Sequence, residues 1–165
     1  MQIRPIERGD VPRMAELNLE VQALHVELEP TCYLPVTDPE PVAALLLEKF
    51  ELPGWGGHAA IHEDTLVGFA LWEVRQREAH PLVAANRGLF VDQLAVTAAA
   101  RRTGVGLALM RACEAHAQTL GCTRVSLNCR WSNAKARAFY QAIGYTPAQV
   151  TLERHLPPGH GDGDR

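Results

Sequence analysis

The residues best suited to chemistry lie where a predicted strand gives way to a predicted helix, at Arg101-Arg102-Thr103-Gly104-Val105-Gly106. The first turn of a helix carries backbone N–H groups without intrahelical acceptors and the positive end of the helix dipole. A glycine at 104 can take positive φ and turn successive amides towards one point, and one at 106 removes a Cβ that would keep an anion off the backbone. Such a cradle suits a diphosphate. Arg101 and Arg102 add fixed charge beside it. A Gly-x-Gly at a helix start also fits a plain tight turn with close helix–strand packing. Two nucleotide-binding patterns fail. A dinucleotide fold requires a third glycine, but Leu109 occupies that position, and Asn128 rather than an acid ends the next strand. Nothing matches Gly-x-x-x-x-Gly-Lys-[Ser/Thr].

Other candidates are less tightly patterned. Asn133 and Tyr140 lie two helical turns apart and share a helix face. Glu73 and Asp92 are carboxylates on predicted central strands. By two-residue alternation Asp92 shares a face with Leu94 and Val96, where an acid is costly unless it is used or solvated. A solvated sheet rim is the alternative for both acids. His80 lies in the loop between them. His58 and His62 share a strand face, but no further ligand has metal-like spacing, so no metal site is expected. Trp55, Trp72 and Trp131 either line a pocket or pack. The four cysteines, Cys32, Cys113, Cys122 and Cys129, contain no Cys-x-x-Cys pair. They read as small reduced residues, since an acyl-carrying thiol would need a neighbouring base that no local motif supplies.

The elements that must position these groups follow from punctuation and period. A short strand around residues 3–6 precedes a helix capped by Asp10, with Met14, Leu17, Val21, Leu24 and Leu28 on one face and Pro30 ending it. Asp38-Pro39 opens a second helix reaching about Phe50. Residues 53–57 are a loop. Strands are expected at 59–62 and 66–74, joined by a turn at Glu63-Asp64, then a loop at 78–88 and a strand at 89–96. A helix over 104–120 stops at Gly121, a strand follows at 124–129, and Ser132 caps a helix ending near Gly144. Val150, Leu152 and Leu156 suggest a last strand. The order is βααβββαβαβ, an α/β arrangement.

At 165 residues the chain suits one domain, expected over 1–156 with a loosely held Pro/Gly/Asp-rich tail at 157–165. A net charge of -3 and no strongly basic stretch give a nucleic-acid or anionic-membrane partner no electrostatic support. The start, Met1-Gln2-Ile3-Arg4-Pro5, lacks the apolar run of a secretion signal, and no apolar stretch is long enough to span a bilayer. A cytoplasmic location is the expectation.

The segment Leu94-Ala95-Val96 followed by Arg101 to Gly106 resembles the acetyl-CoA-binding motif of the GNAT N-acetyltransferase superfamily, [Arg/Gln]-x-x-Gly-x-[Gly/Ala]. A second stretch, from Asn133 to Tyr145, is similar to the family's Asn-x-x-Ala-x-x-Phe-Tyr-x-x-x-Gly-[Phe/Tyr]. The motif match runs from about residue 90 to residue 145, and the element order before it is compatible. The resemblance implies a mixed, mainly antiparallel sheet flanked by helices, with a splayed strand pair that admits the pantetheine arm. Leu94, Ala95 and Val96 would offer backbone groups to that arm. The amides from Arg102 through Thr103, Gly104, Val105 and Gly106 to Leu107 would hold the diphosphate beside Arg101, and Asn133 and Ala136 would contact the arm. Tyr140 would reach the thioester sulfur and act as the proton donor, a phenol of reference pKa about 10 being a reasonable acid for a departing thiolate.

The implied reaction is direct attack of a primary amine on acetyl-CoA, with no metal. Some relatives place a glutamate on the strand before the second motif; Asn128 stands in that neighbourhood here, leaving Asp92 and Glu73 as candidate bases or cation-binding groups. The acceptor is expected to be a small amine, chosen by the first two helices and residues 31–38 and 78–88, with Glu27, Glu29 and Glu78 favouring a cation. Alternatives are acetylation of a protein N-terminus or lysine, and a non-catalytic acyl-CoA sensor. A homodimer is compatible with the family.

Overall fold

The computed structural model describes residues 1–154. Strand β1 (Gln2–Pro5) leads through a short 3-10 turn into helix α1 (Val11–Leu28), which carries Pro12 in its first turn. Contrary to the expectation from the sequence, Asp10 does not cap α1 with its side chain. Its carboxylate instead accepts from the Glu7 amide at 2.8 Å and from both terminal nitrogens of Arg4 at 2.7 Å. Three strong donors behind it outbid the single amide ahead. Helix α2 (Pro39–Glu51) begins as its sequence requires, with Asp38 accepting from the Glu40 amide at 2.9 Å.

Strands β2 (Trp55–His62) and β3 (Thr65–Arg77) form a hairpin whose two turn residues, Glu63 and Asp64, both have positive φ. Strand β4 (Asn86–Val96), helix α3 (Val105–Thr119), strand β5 (Arg124–Leu127) and helix α4 (Ala134–Ala142) follow. The sheet runs β1-β2-β3-β4-β5. Its first three pairings are antiparallel and β4–β5 is parallel, with α3 as the crossover. This is the mixed, mostly antiparallel α/β sheet the sequence implies. Strands β2 and β4 each start earlier than predicted, because glycines there are strand residues rather than loop residues. A Cβ on Gly57 would stand 2.2 Å from Ile6 Cδ1 and 2.6 Å from the Ala70 carbonyl oxygen.

No final strand forms at Val150 and Leu152, which are 65% and 91% exposed. Alternation alone does not make a strand when no surface is available to bury its apolar side. Leu156 and the 157–165 tail lie outside the described residues.

The sheet is packed on both faces. Met14, Leu17 and Leu46 from α1 and α2 cover Phe69, Leu71 and Ala95 on one face. On the other, α3 sets Leu109, Met110 and Cys113 against Leu89 and Val91, with Phe139 and Tyr140 of α4 alongside. The β3–β4 register breaks once. Leu71 faces Gln93 and Trp72 faces Val91, so Asp92 is an extra residue in a β-bulge.

Candidate active site

The bulge decides what each side of the sheet offers. Beyond it, Leu94 and Val96 pack with the α3–α4 core. Asp92 does not share their face, contrary to simple alternation, because the inserted residue resets the phase. Its carboxylate meets Lys49 of α2 at 2.7 Å instead.

Strand β5 stops pairing where Leu127 meets Val91, so β4 from Asp92 onwards has no neighbour on that side. The Thr97 amide donates to the Val67 carbonyl at 2.9 Å. Since successive residues present their backbone groups to opposite edges, Leu94 and Val96 direct theirs away from β3, into the gap left by β5. That gap is the splay expected from the sequence. Arg101 Nε already donates to the Val96 carbonyl at 3.1 Å, closing one acceptor on this edge.

The loop beyond β4 is shaped by its backbone. Arg102 and Gly104 both lie in the left-handed region, at φ 67 and 92. Strained φ in a non-glycine residue concentrates at functional loops. Residues 101–104 are exposed, while Val105 is buried and anchors the turn. The first helical bond of α3 runs from the Ala108 amide to the Gly104 carbonyl at 3.0 Å, and Gly104 has no side chain with which to cap. The amides of Val105, Gly106 and Leu107 therefore face the loop without intrahelical partners. Gly106 has a packing reason as well as room for an anion: a Cβ there would approach the Phe139 ring to 3.3 Å. Arg102 makes no ion pair among the described residues, whereas Arg101 is held by Glu20 at 3.5 Å.

Glu20 is a site residue that sequence reasoning missed. From α1 it accepts from the Ala98 amide at 2.9 Å and the Thr97 hydroxyl at 3.3 Å, besides pairing with Arg101, and so fixes the segment that leads into the loop. Nothing local signals a contact across more than seventy residues.

On α4 the cap is Asn133 rather than Ser132. Asn133 Oδ1 accepts from the Ala136 amide at 3.0 Å, which uses that amide and leaves Asn133 Nδ2 as a donor. The Ser132 hydroxyl is taken by Glu29. Tyr140 packs beside Phe139 and Tyr145, with ring centroids 5.1 and 6.1 Å away. Burial, helped by the nearby Cys129, pushes its phenol well above the usual range, so it stays protonated and can only give its proton to a strong acceptor. Tyr145 Oη donates to Glu114 at 3.0 Å and ties α4 to α3.

On the opposite face, Glu73 accepts from Arg75 Nε at 2.7 Å, and the Arg75 guanidinium lies 3.4 Å over the Phe90 ring. Lys49, paired with Asp92, also sits 5.1 Å over Trp55. Both candidate carboxylates thus hold a cation of this chain. The connection after α1 is clasped to the segment before α4, with Arg130 Nε donating to Tyr33 Oη at 3.0 Å and pairing with Glu29 at 3.4 Å.

His80 stays with its own loop, its backbone bonded to Val83. His58 faces inwards, accepting from Trp72 Nε1 at 3.2 Å with Cys113 Sγ at 3.8 Å. Burial pushes the Cys113 thiol up to about 12, so it is chemically quiet. All four cysteines are free. Among the described residues no group of three His, Cys, Asp or Glu side chains is placed to hold a metal, and no helix is long and apolar enough to cross a membrane.

Solved structures share this architecture. A tetramutant of the BH1408 protein from Bacillus halodurans superposes with a TM-score of 0.87 at 18% identity, over 94% of this chain and 100% of that one. An aminoglycoside antibiotic 6′-N-acetyltransferase from Acinetobacter haemolyticus gives 0.72 at 16% identity, over 96% and 100% of the two chains. An aminoglycoside acetyltransferase from an uncultured soil metagenomic sample gives 0.68 at 16% identity, over 96% of each. At such identities the likeness speaks for the fold. No curated protein sequence matches the chain. The family assignment comes from the sequence itself, which matches the Acetyltransferase (GNAT) family over residues 21–145, from within α1 to the tyrosine that closes the second motif. The chain belongs to the GNAT acetyltransferase family.

Proposed function

We propose that the protein is an acetyl-CoA-dependent N-acetyltransferase acting on a small primary amine by direct attack. The observation that carries this reading is the turn at Arg102–Leu107, which is exposed over residues 102–104, left-handed at two residues and leaves three helix amides uncapped beside an open strand edge. Acetyl-CoA, when bound, supplies the activated acyl thioester. The Val105, Gly106 and Leu107 amides and Arg102 hold its diphosphate. The open edge at Leu94–Val96 and the free Asn133 Nδ2 bind its arm, and a Leu94 or Val96 amide stabilises negative charge on the carbonyl oxygen. Tyr140, kept protonated by burial, is the proton source for the leaving sulfur.

The amine enters from the α1–α2 side. There Asp92 receives its proton through water, with Glu73 second in that role; each must loosen an internal ion pair to do so. The structural neighbour that is an aminoglycoside antibiotic 6′-N-acetyltransferase agrees with an amine acceptor. Titrating the protein with coenzyme A in a calorimeter tests the cofactor half. Thiol release from acetyl-CoA with a panel of amines tests the catalytic half. Binding without turnover of any amine would leave a sensor, and absence of binding would remove the assignment altogether.

A further inference from the structure

Among the described residues, one buried side-chain polar atom has no hydrogen-bond partner: Nε of Arg137. An unmet donor inside a protein costs roughly 1–3 kcal/mol. The cost is usually relieved by rotating a long side chain into water. Arg137 is prevented from doing so by stacking, its guanidinium carbon lying 4.0 Å over the Trp131 ring. Trp131 is itself 72% exposed, so the stack serves the arginine rather than the core.

The position of Arg137 indicates what the free N–H awaits. It is four residues after Asn133 and three before Tyr140, so the three side chains share one face of α4. At 1.5 Å per residue they stand at roughly 0, 6 and 10.5 Å along the helix. A phosphate is normally gripped by the forked pair of terminal nitrogens. A single inward Nε–H suits one neutral carbonyl oxygen.

From this geometry we infer that Arg137 Nε donates a hydrogen bond to an amide carbonyl of the pantetheine arm, between the contacts made by Asn133 and Tyr140. The inference rests on the acetyl-CoA reading above. It makes Arg137 a binding residue and Trp131 the residue that positions it.

Calorimetry with coenzyme A and with adenosine 3′-phosphate 5′-diphosphate, which keeps all three phosphates of coenzyme A but lacks the arm, separates the possibilities. Arg137→Met and Arg137→Lys are expected to weaken coenzyme A about tenfold, the scale of one hydrogen bond from a charged group, while leaving the armless nucleotide unchanged. Equal weakening of both ligands would overturn the inference in favour of a phosphate contact, and no weakening of either would reduce Arg137 to a structural role. Coenzyme A analogues with either amide carbonyl replaced by methylene add a test on the intact protein. One of them should bind the wild type about tenfold more weakly, and bind Arg137→Met no more weakly than coenzyme A does; two analogues that match coenzyme A on the wild type would refute the idea. Failure of the wild type to bind coenzyme A at all would sink the functional assignment instead.

Discussion

The two faces of β4 treat polar groups in opposite ways. On the α3–α4 side, donors are left without partners: the amides at Val105–Leu107, Asn133 Nδ2 and Arg137 Nε. On the α1–α2 side, charges are matched to one another, Asp92 with Lys49, Glu73 with Arg75 and Glu29 with Arg130. Of the side-chain donors, Arg137 Nε is the buried one, and an unmet donor of that kind calls for a partner. Matched pairs cost little while the site is empty and must be opened or bypassed when a substrate arrives. On the proposed acetyl-CoA reading, the first side has the character of a fixed mould, and the second that of a surface rearranged by its occupant.

The strongest break of this contrast is at Tyr140. Tyr140→Phe keeps the ring and its packing but removes the proton, so kcat should fall about 10³-fold with coenzyme A affinity unchanged. An intact kcat would move the acid elsewhere. Next comes Asp92→Asn, expected to lower kcat about 10²-fold. Glu73→Gln should cost less, because Arg75 holds Glu73 through two nitrogens. If Glu73→Gln were the more damaging, the bulge would not mark the base.

These expectations also show what was legible in the sequence. The positive φ of Gly104, the cap at Asn133 and the helix face of Tyr140 are set within their own helices, and their spacing along the chain carries that information. The bulge at Asp92 is invisible in the strand's apolar pattern, because one extra residue changes the face of everything before it without changing composition. Glu20 and the Lys49–Asp92 pair are long-range meetings that depend on how α1 and α2 dock. The missing strand at Val150 and Leu152 is the converse case, a local pattern with nothing to pack on.

A third break tests the mould itself. Gly104 has φ 92, and a Cβ there would meet no atom within 4 Å. Gly104→Val is therefore strained by conformation rather than collision. A left-handed residue with a Cβ costs roughly 1–2 kcal/mol, so coenzyme A should bind about tenfold more weakly if the turn must keep its shape. Gly104→Asn, which tolerates this region better, should recover part of the loss. Unchanged affinity in both variants would mean that the loop amides are not what holds the diphosphate.

The smallest effect is a pH response confined to the matched side. His25 stacks on Tyr33 at 4.8 Å between ring centroids, beside the Arg130–Glu29 clasp. Burial, and then the Arg130 charge, hold its imidazole below its ordinary value, against a weaker pull upwards from Glu29. A histidine depressed in the folded state binds fewer protons there than in the unfolded chain. Its contribution is fully present above the unfolded value of about 6.5 and is lost as pH falls through the lower folded value. Protonation would also set a second cation against Arg130, which is what keeps Tyr33 in place. Amide exchange at residues 29–34, corrected for its intrinsic pH dependence, should therefore become faster relative to residues 104–108 as pH drops from 7 to 5. His25→Phe should abolish that difference while keeping the stack on Tyr33. The same acceleration in both segments would show that acid loosens the whole domain, and that the clasp is no more adaptable than the mould it faces.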